Sequence, residues 1–126
     1  MKKSNIYFLL FALGLLLNAC TYDFIVKEEL PKVDPTVNIL LATQIVPIFA
    51  DKCISCHKTG GTAPDLAAAN AYNSIKNLNL ANTVTPASSL IYTYPSPSTT
   101  LHNWKKYSAA EAQLVLTWLQ QGAKNN

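Results

Sequence analysis

Apolar residues recur at helical spacing in two stretches and crowd into an unbroken run in a third. Ile45, Ile48 and Phe49, with Lys52 continuing the register, fall at i, i+3, i+4 and i+7, the spacing of one buried helix face. Pro47 suits a first turn, where a missing N–H costs least, and Thr43 suits the N-cap, so a helix is expected from about residue 44 into residues 53–57. Near the C-terminus Val115, Trp118 and Leu119, joined by Leu114, form a second stripe. Ser108-Ala109-Ala110-Glu111 is a capping box ahead of it, and Gly122 is its stop signal. Trp118 reads as core rather than as an electron relay. Between these helices, Ala67 to Lys76 has high helix propensity with Tyr72 and Ile75 facing inward. Pro86 suits the first position of a short helix, capped by Thr85 and running through Leu90, Ile91 and Tyr94. Gly60-Gly61 and the stretch from Pro95 to Asn103 read as loops. No segment alternates at period two, so the expected fold class is all-α.

The third stretch, Ile6 to Leu17, follows Lys2 and Lys3 and is too short to span a bilayer comfortably. It reads as the apolar core of an export signal. Leu17-Asn18-Ala19-Cys20 resembles a bacterial lipobox, in which cleavage leaves Cys20 as a lipid-modified N-terminus; the alternative is an ordinary secretory peptide with a leftover thiol. Several acyl chains would anchor the protein, since each buried methylene contributes ~0.8 kcal/mol. From Thr21 to Asn38, charges together with Pro31 and Pro35 suggest a tether. The expected organisation is a signal peptide over 1–19, a lipid-anchored tether over 20–38 and one domain over 39–126. Thr21 carries no inner-membrane retention signal by the aspartate rule of some Gram-negative groups. The expected location is therefore the outer membrane of a Gram-negative cell envelope, facing periplasm or surface. Of ten basic and seven acidic residues, Lys2 and Lys3 leave with the signal, so the mature chain is nearly neutral. It has no arginine and no basic patch, which excludes nucleic acid as a partner.

The chemistry concentrates in Cys53-Ile54-Ser55-Cys56-His57. Two thiols three residues apart on one helical turn can each add to a haem vinyl group, and the adjacent imidazole can ligate the iron. Three other readings compete. A thioredoxin-like redox pair needs a βαβ setting, and no strand pattern precedes Cys53. A zinc site could recruit Cys53, Cys56, His57 and His102, although adjacent Cys56 and His57 would strain a tetrahedron and the spacing matches no zinc pattern. A Cys53–Cys56 disulfide would close a tiny, strained loop. The motif is read as the attachment site of one covalent haem c. A domain of this size buries little apolar surface alone, so its fold is expected to depend on that haem.

With a Pro-Ile-Phe helix before this motif, a Gly/Pro loop after it and a capped last helix ending Trp118-Leu119-Gln120-Gln121-Gly122-Ala123, residues 40–126 resemble the monohaem cytochrome c domains of bacterial lipoproteins, which are class I cytochrome c-like. The resemblance implies a small helical domain wrapped around one haem, with first and last helices crossing near its edge. It also implies a proline carbonyl accepting a hydrogen bond from the proximal imidazole, by position that of Pro64. Many members ligate the iron with a methionine from the loop before the last helix, but the only methionine here is Met1, which the signal peptide takes with it. His102, in Ser98-Thr99-Thr100-Leu101-His102-Asn103-Trp104, is the sole histidine besides His57 and lies where that methionine would be. His57 and His102 are thus the expected metal ligands. Bis-histidine ligation implies a low potential and a closed iron suited to passing electrons to redox partner proteins rather than to enzymatic turnover. Without His102 the alternative is a haem sensor or small haem enzyme with an open distal site; a third reading is an accessory subunit of a larger complex. With both histidines so engaged, no Ser/His/Asp set or catalytic carboxylate pair can be assembled.

Overall fold

The computed structural model describes residues 33–34, 36–103 and 105–126. The expected signal segment, the lipidation candidate Cys20 and most of the expected tether lie outside the described residues. Among the described residues there are helices and turns and no strand, in line with the all-α expectation. None of these helices is long and apolar enough to cross a membrane.

The first helical stretch opens as a π-turn at Leu41–Ile45 and continues as helix α1, Val46–Lys52. Pro47 accounts for the wide opening turn. In a continuous α-helix its ring would press on the Thr43 carbonyl, and it has no N–H to offer that acceptor. The Val46 N–H instead donates back to Leu41 O. Thr43 therefore lies inside the π-turn rather than capping a helix, and it is the Gln44 side chain that accepts from the Leu40 N–H at 2.8 Å. Helix α2, Ala71–Asn77, begins four residues later than its propensity suggested. The Ala67–Asn70 turn before it is drawn toward the Asp65 carboxylate, which accepts from the Ala67 N–H and the Asn70 amide.

The expected helix over 86–94 is split into a 3₁₀ turn at Pro86–Ser88 and α3, Leu90–Thr93. Buried Ser89 breaks it. Its backbone is extended (ψ 131°), and its hydroxyl accepts from the Asn82 N–H and donates to the Asn82 carbonyl. Thr85 makes no capping bond. The last helix, α4, spans Ala109–Gln120 with the capping box complete: Ser108 Oγ accepts from the Glu111 N–H, and Glu111 accepts from the Ser108 N–H at 2.6 Å. Such a cap contributes about 1 kcal/mol. Gly122 follows with φ +95°, the left-handed conformation that ends a helix.

Val115, Trp118 and Leu119 on α4 meet Ile45, Ile48 and Phe49 of the first stretch in one core, together with Leu66, Ile75, Ile91 and Tyr107. Each large side chain so buried contributes roughly 1.5–3 kcal/mol relative to exposure. Trp118 is 1 % exposed and its indole N–H donates to the Lys124 carbonyl, so it sits in the core with its polar atom satisfied. Lys52 at the end of α1 pairs with Asp51 at 3.2 Å and reaches Glu111 of α4 at 3.8 Å. Where the expected tether is described it already engages the domain. Val33 packs against the core, and the Gln121 amide donates to Val37 O and accepts from the Ile39 N–H.

Candidate functional site

The Cys53–His57 motif extends α1 by one turn. The Cys53 and Ile54 N–H groups both donate to Phe49 O, Cys56 N–H to Cys53 O at 3.1 Å, and His57 N–H to Cys53 O at 2.9 Å. This turn sets the two thiols and the imidazole along one wall of a cavity of about 750 Å³. That volume falls within the ~300–1,000 Å³ usual for small-molecule and cofactor sites. The cavity brings together every expected site residue that the structure describes: Cys53, Cys56, His57, Pro64 and His102. Its other walls are mostly apolar, from Leu66, Leu80, Leu90, Ile91, Tyr94 and Tyr107.

The two cysteines are free thiols in unlike surroundings, Cys53 buried and Cys56 exposed. Burial pushes the Cys53 thiol up to about 11, and the Glu111 carboxylate adds to the effect, so at neutral pH it is protonated. Burial likewise raises the Tyr107 phenol well above its usual range, and its hydroxyl donates to Ile91 O at 2.9 Å.

The two imidazoles both line the cavity and are stacked, with ring centroids 5.9 Å apart and planes inclined by 25°. Two imidazoles that shared one metal through bonds of about 2 Å would have ring centres roughly 6 Å apart, and the separation here is of that order. Each ring also has one nitrogen engaged by the backbone: His57 Nδ1 lies 3.1 Å from Thr62 O, and His102 Nδ1 lies 2.8 Å from Lys105 O. A carbonyl only accepts, so each Nδ1 carries a proton, and in the neutral ring this leaves the Nε2 lone pair for a metal, the tautomer a metal-ligating histidine uses. His102 adopts φ +56°, a left-handed conformation in which histidine is several-fold enriched over most non-glycine residues.

The hydrogen bond expected of the Pro64 carbonyl falls to Thr62. Gly60 (φ +77°) turns the chain, and Gly61 passes so close to the motif that a Cβ there would stand 2.4 Å from Cys56 O. The Thr62 N–H then donates to Cys56 O at 3.0 Å while its carbonyl meets the imidazole, so one residue ties both ends of the Cys56-His57 pair. Pro64 lines the cavity, after a cis Ala63–Pro64 peptide. Sequence reasoning missed Thr62 and Lys105, because a carbonyl acceptor leaves no mark in residue type.

The chain matches no known family model, no curated protein and no solved structure.

The residues present fit a covalent haem. There are two thiols on one turn, two neighbouring imidazoles each with Nδ1 bonded to a backbone carbonyl, and apolar walls for a large flat ring. They do not fit zinc. Among the described residues no three His, Cys, Asp or Glu side chains gather closely enough to hold a metal ion between them, and a structural zinc site needs four such donors.

Proposed function

We propose that this chain is a lipid-anchored c-type cytochrome that carries single electrons in the bacterial cell envelope, in which Cys53 and Cys56 would hold one haem c and His57 and His102 would ligate its iron. The observation that carries the reading is the pairing of the Cys53–His57 motif with a second imidazole 5.9 Å from the first, each with Nδ1 already engaged. The haem supplies the one-electron chemistry. The protein's own residues hold, orient and shield. The thiols would hold the ring, the Thr62 and Lys105 carbonyls orient the two imidazoles through Nδ1, and Leu66, Leu80, Ile91 and Tyr107 offer the ring apolar surface in place of water. With both imidazoles on the iron, the chain would be suited to electron transfer to redox partner proteins rather than to enzymatic turnover. Cys20 is the proposed anchor, in the outer membrane.

Acid-acetone extraction followed by intact mass tests the attachment: one haem should stay on the polypeptide. Recovery of free haem would refute it. Absorption spectra should be low-spin in both oxidation states with poor carbon monoxide uptake, and His102→Ala should yield a high-spin, ligand-binding iron. Cys20→Ser should move the protein from the membrane to the soluble fraction.

One observation favours a second reading, a haem sensor or small haem enzyme. Among the described residues, the hydrogen bonds of Ser96, Ser98, Thr99, His102 and Lys106 find their partners within residues 94–107, Lys106 Nζ donating to Thr99 O among them. A loop bonded mainly to itself can leave as a unit and take His102 with it. Ready carbon monoxide binding by the unaltered protein would favour this reading over electron transfer.

A further inference from the structure

The two sides of the cavity are built differently, and the difference points to residues that no motif marks. On the His57 side, the segment from Thr59 to Asp65 is held by backbone bonds and by a cluster of bonds to one carboxylate. Asp65 accepts from Thr59 Oγ1 at 2.8 Å, from Asn70 Nδ2 at 2.8 Å and from the Ala67 N–H at 3.0 Å. The Asn70 amide also donates to Thr59 Oγ1 at 3.1 Å, closing a three-membered ring of side chains. The Asp65 N–H donates to Ser74 Oγ on α2, and the Leu66 N–H to His57 O at 2.8 Å. Asn70 stands at the N-cap position of α2 yet makes no capping bond, its side chain being turned to Thr59 and Asp65. The span so closed, Thr59 to Asp65, contains Thr62, whose carbonyl holds His57 Nδ1.

We infer that Thr59, Asp65 and Asn70 form a positioning brace for the proximal imidazole, fixing the Thr62 carbonyl against His57 Nδ1 and thereby setting how strongly that histidine donates to a bound iron. The physical chain is short. A firm acceptor on Nδ1–H makes Nε2 a more basic ligand, and a more basic ligand favours the oxidised iron. Loosening the brace lets the Thr62 carbonyl drift, weakens the bond and raises the reduction potential. The inference rests on the cytochrome reading, and the test separates the two.

The variant of choice is Thr59→Val with Asn70→Ala, in the holoprotein. It removes two arms of the brace while leaving the Asp65 charge and the direct ligands in place. The potential should rise by the equivalent of a three- to tenfold change in the oxidised-to-reduced equilibrium, which for a one-electron couple is about 30–60 mV. In the reduced protein the His57 Nδ1–H proton should exchange with solvent several-fold faster by NMR, and the His102 Nδ1–H proton should not. Asp65→Asn is the companion. It removes the negative charge and keeps a single oxygen, which can stand where Oδ2 accepts from Thr59 and Asn70 but then leaves the Ala67 N–H without its side-chain acceptor. A potential that moves with Asp65→Asn and not with the double variant would show a charge effect and overturn the brace. An unchanged potential and unchanged His57 exchange in a folded double variant would overturn it equally. A preparation carrying no covalent haem would overturn the underlying reading, and the inference with it.

Discussion

Tyr107→Phe removes one oxygen atom, and the structure allows the cost to be worked out. Helix α3 ends two residues before Pro95, and the Ile91 carbonyl would ordinarily accept from the N–H four residues on. That residue is Pro95, which has no N–H. The Tyr107 hydroxyl supplies the missing donor at 2.9 Å, from a side chain only 2 % exposed. Phenylalanine keeps the ring's packing and leaves the Ile91 carbonyl buried without its donor, which costs about 1–3 kcal/mol. In a domain of under ~100 residues each 1 kcal/mol moves the melting temperature by about 4–8 °C. The expected loss is therefore roughly 5–20 °C, followed by circular dichroism on the holoprotein. Pro95→Ala restores an N–H at the natural position, so the double variant should recover part of the loss, giving a favourable interaction term in the cycle. A fall under about 2 °C for Tyr107→Phe, or a double variant no better than the sum of its singles, would refute the reasoning: water or a shift of α3 would have replaced the hydroxyl.

Gly61→Ala places a Cβ against the Cys56 carbonyl, so the backbone must move. A loss of about 1–3 kcal/mol in thermal stability is expected, with a lower haem-to-protein ratio by absorbance, and full loading with unchanged melting would contradict the close approach. Acid should loosen the proximal loop. Hydrogen bonding from Thr59 above all, then from Ala67 and Asn70, holds the Asp65 carboxyl below its usual range. Its contribution is complete above the ordinary aspartate value of about 4 and is lost as pH falls through the lower folded value. Melting of the unaltered protein should therefore decline more steeply below about pH 4 than that of Asp65→Asn, and parallel curves would show that the carboxylate does not contribute.

Much of the site was legible from residue types alone. Cys53, Cys56, His57 and His102 carry unusual side chains at informative spacing, and a chain whose sole methionine is Met1 leaves His102 as the candidate second ligand. The α4 helix was legible for a related reason: Ser108, Glu111 and Gly122 act through local bonds that sequence spacing specifies. What escaped was set by contacts distant in sequence or by the backbone. The π-turn answers Pro47, but only once the helix starts early enough to need relief. The break at Ser89 follows from its bond to Asn82, seven residues away. Pro64 yielded its expected hydrogen bond to Thr62 because Gly61 brings the chain in two residues sooner than the family pattern implies.

The clamp at the far ends of the described chain has a mechanical consequence. Asn126 meets Leu41 and Ala42, accepting from the first through its side chain and from the second through its backbone, while Gln121 grips Val37 and Ile39. None of these residues lines the cavity. A pull arriving from the N-terminal side is therefore borne first by the end of α4, as shear on a few hydrogen bonds. The walls that hold the two imidazoles in register feel it only after that clamp has given way.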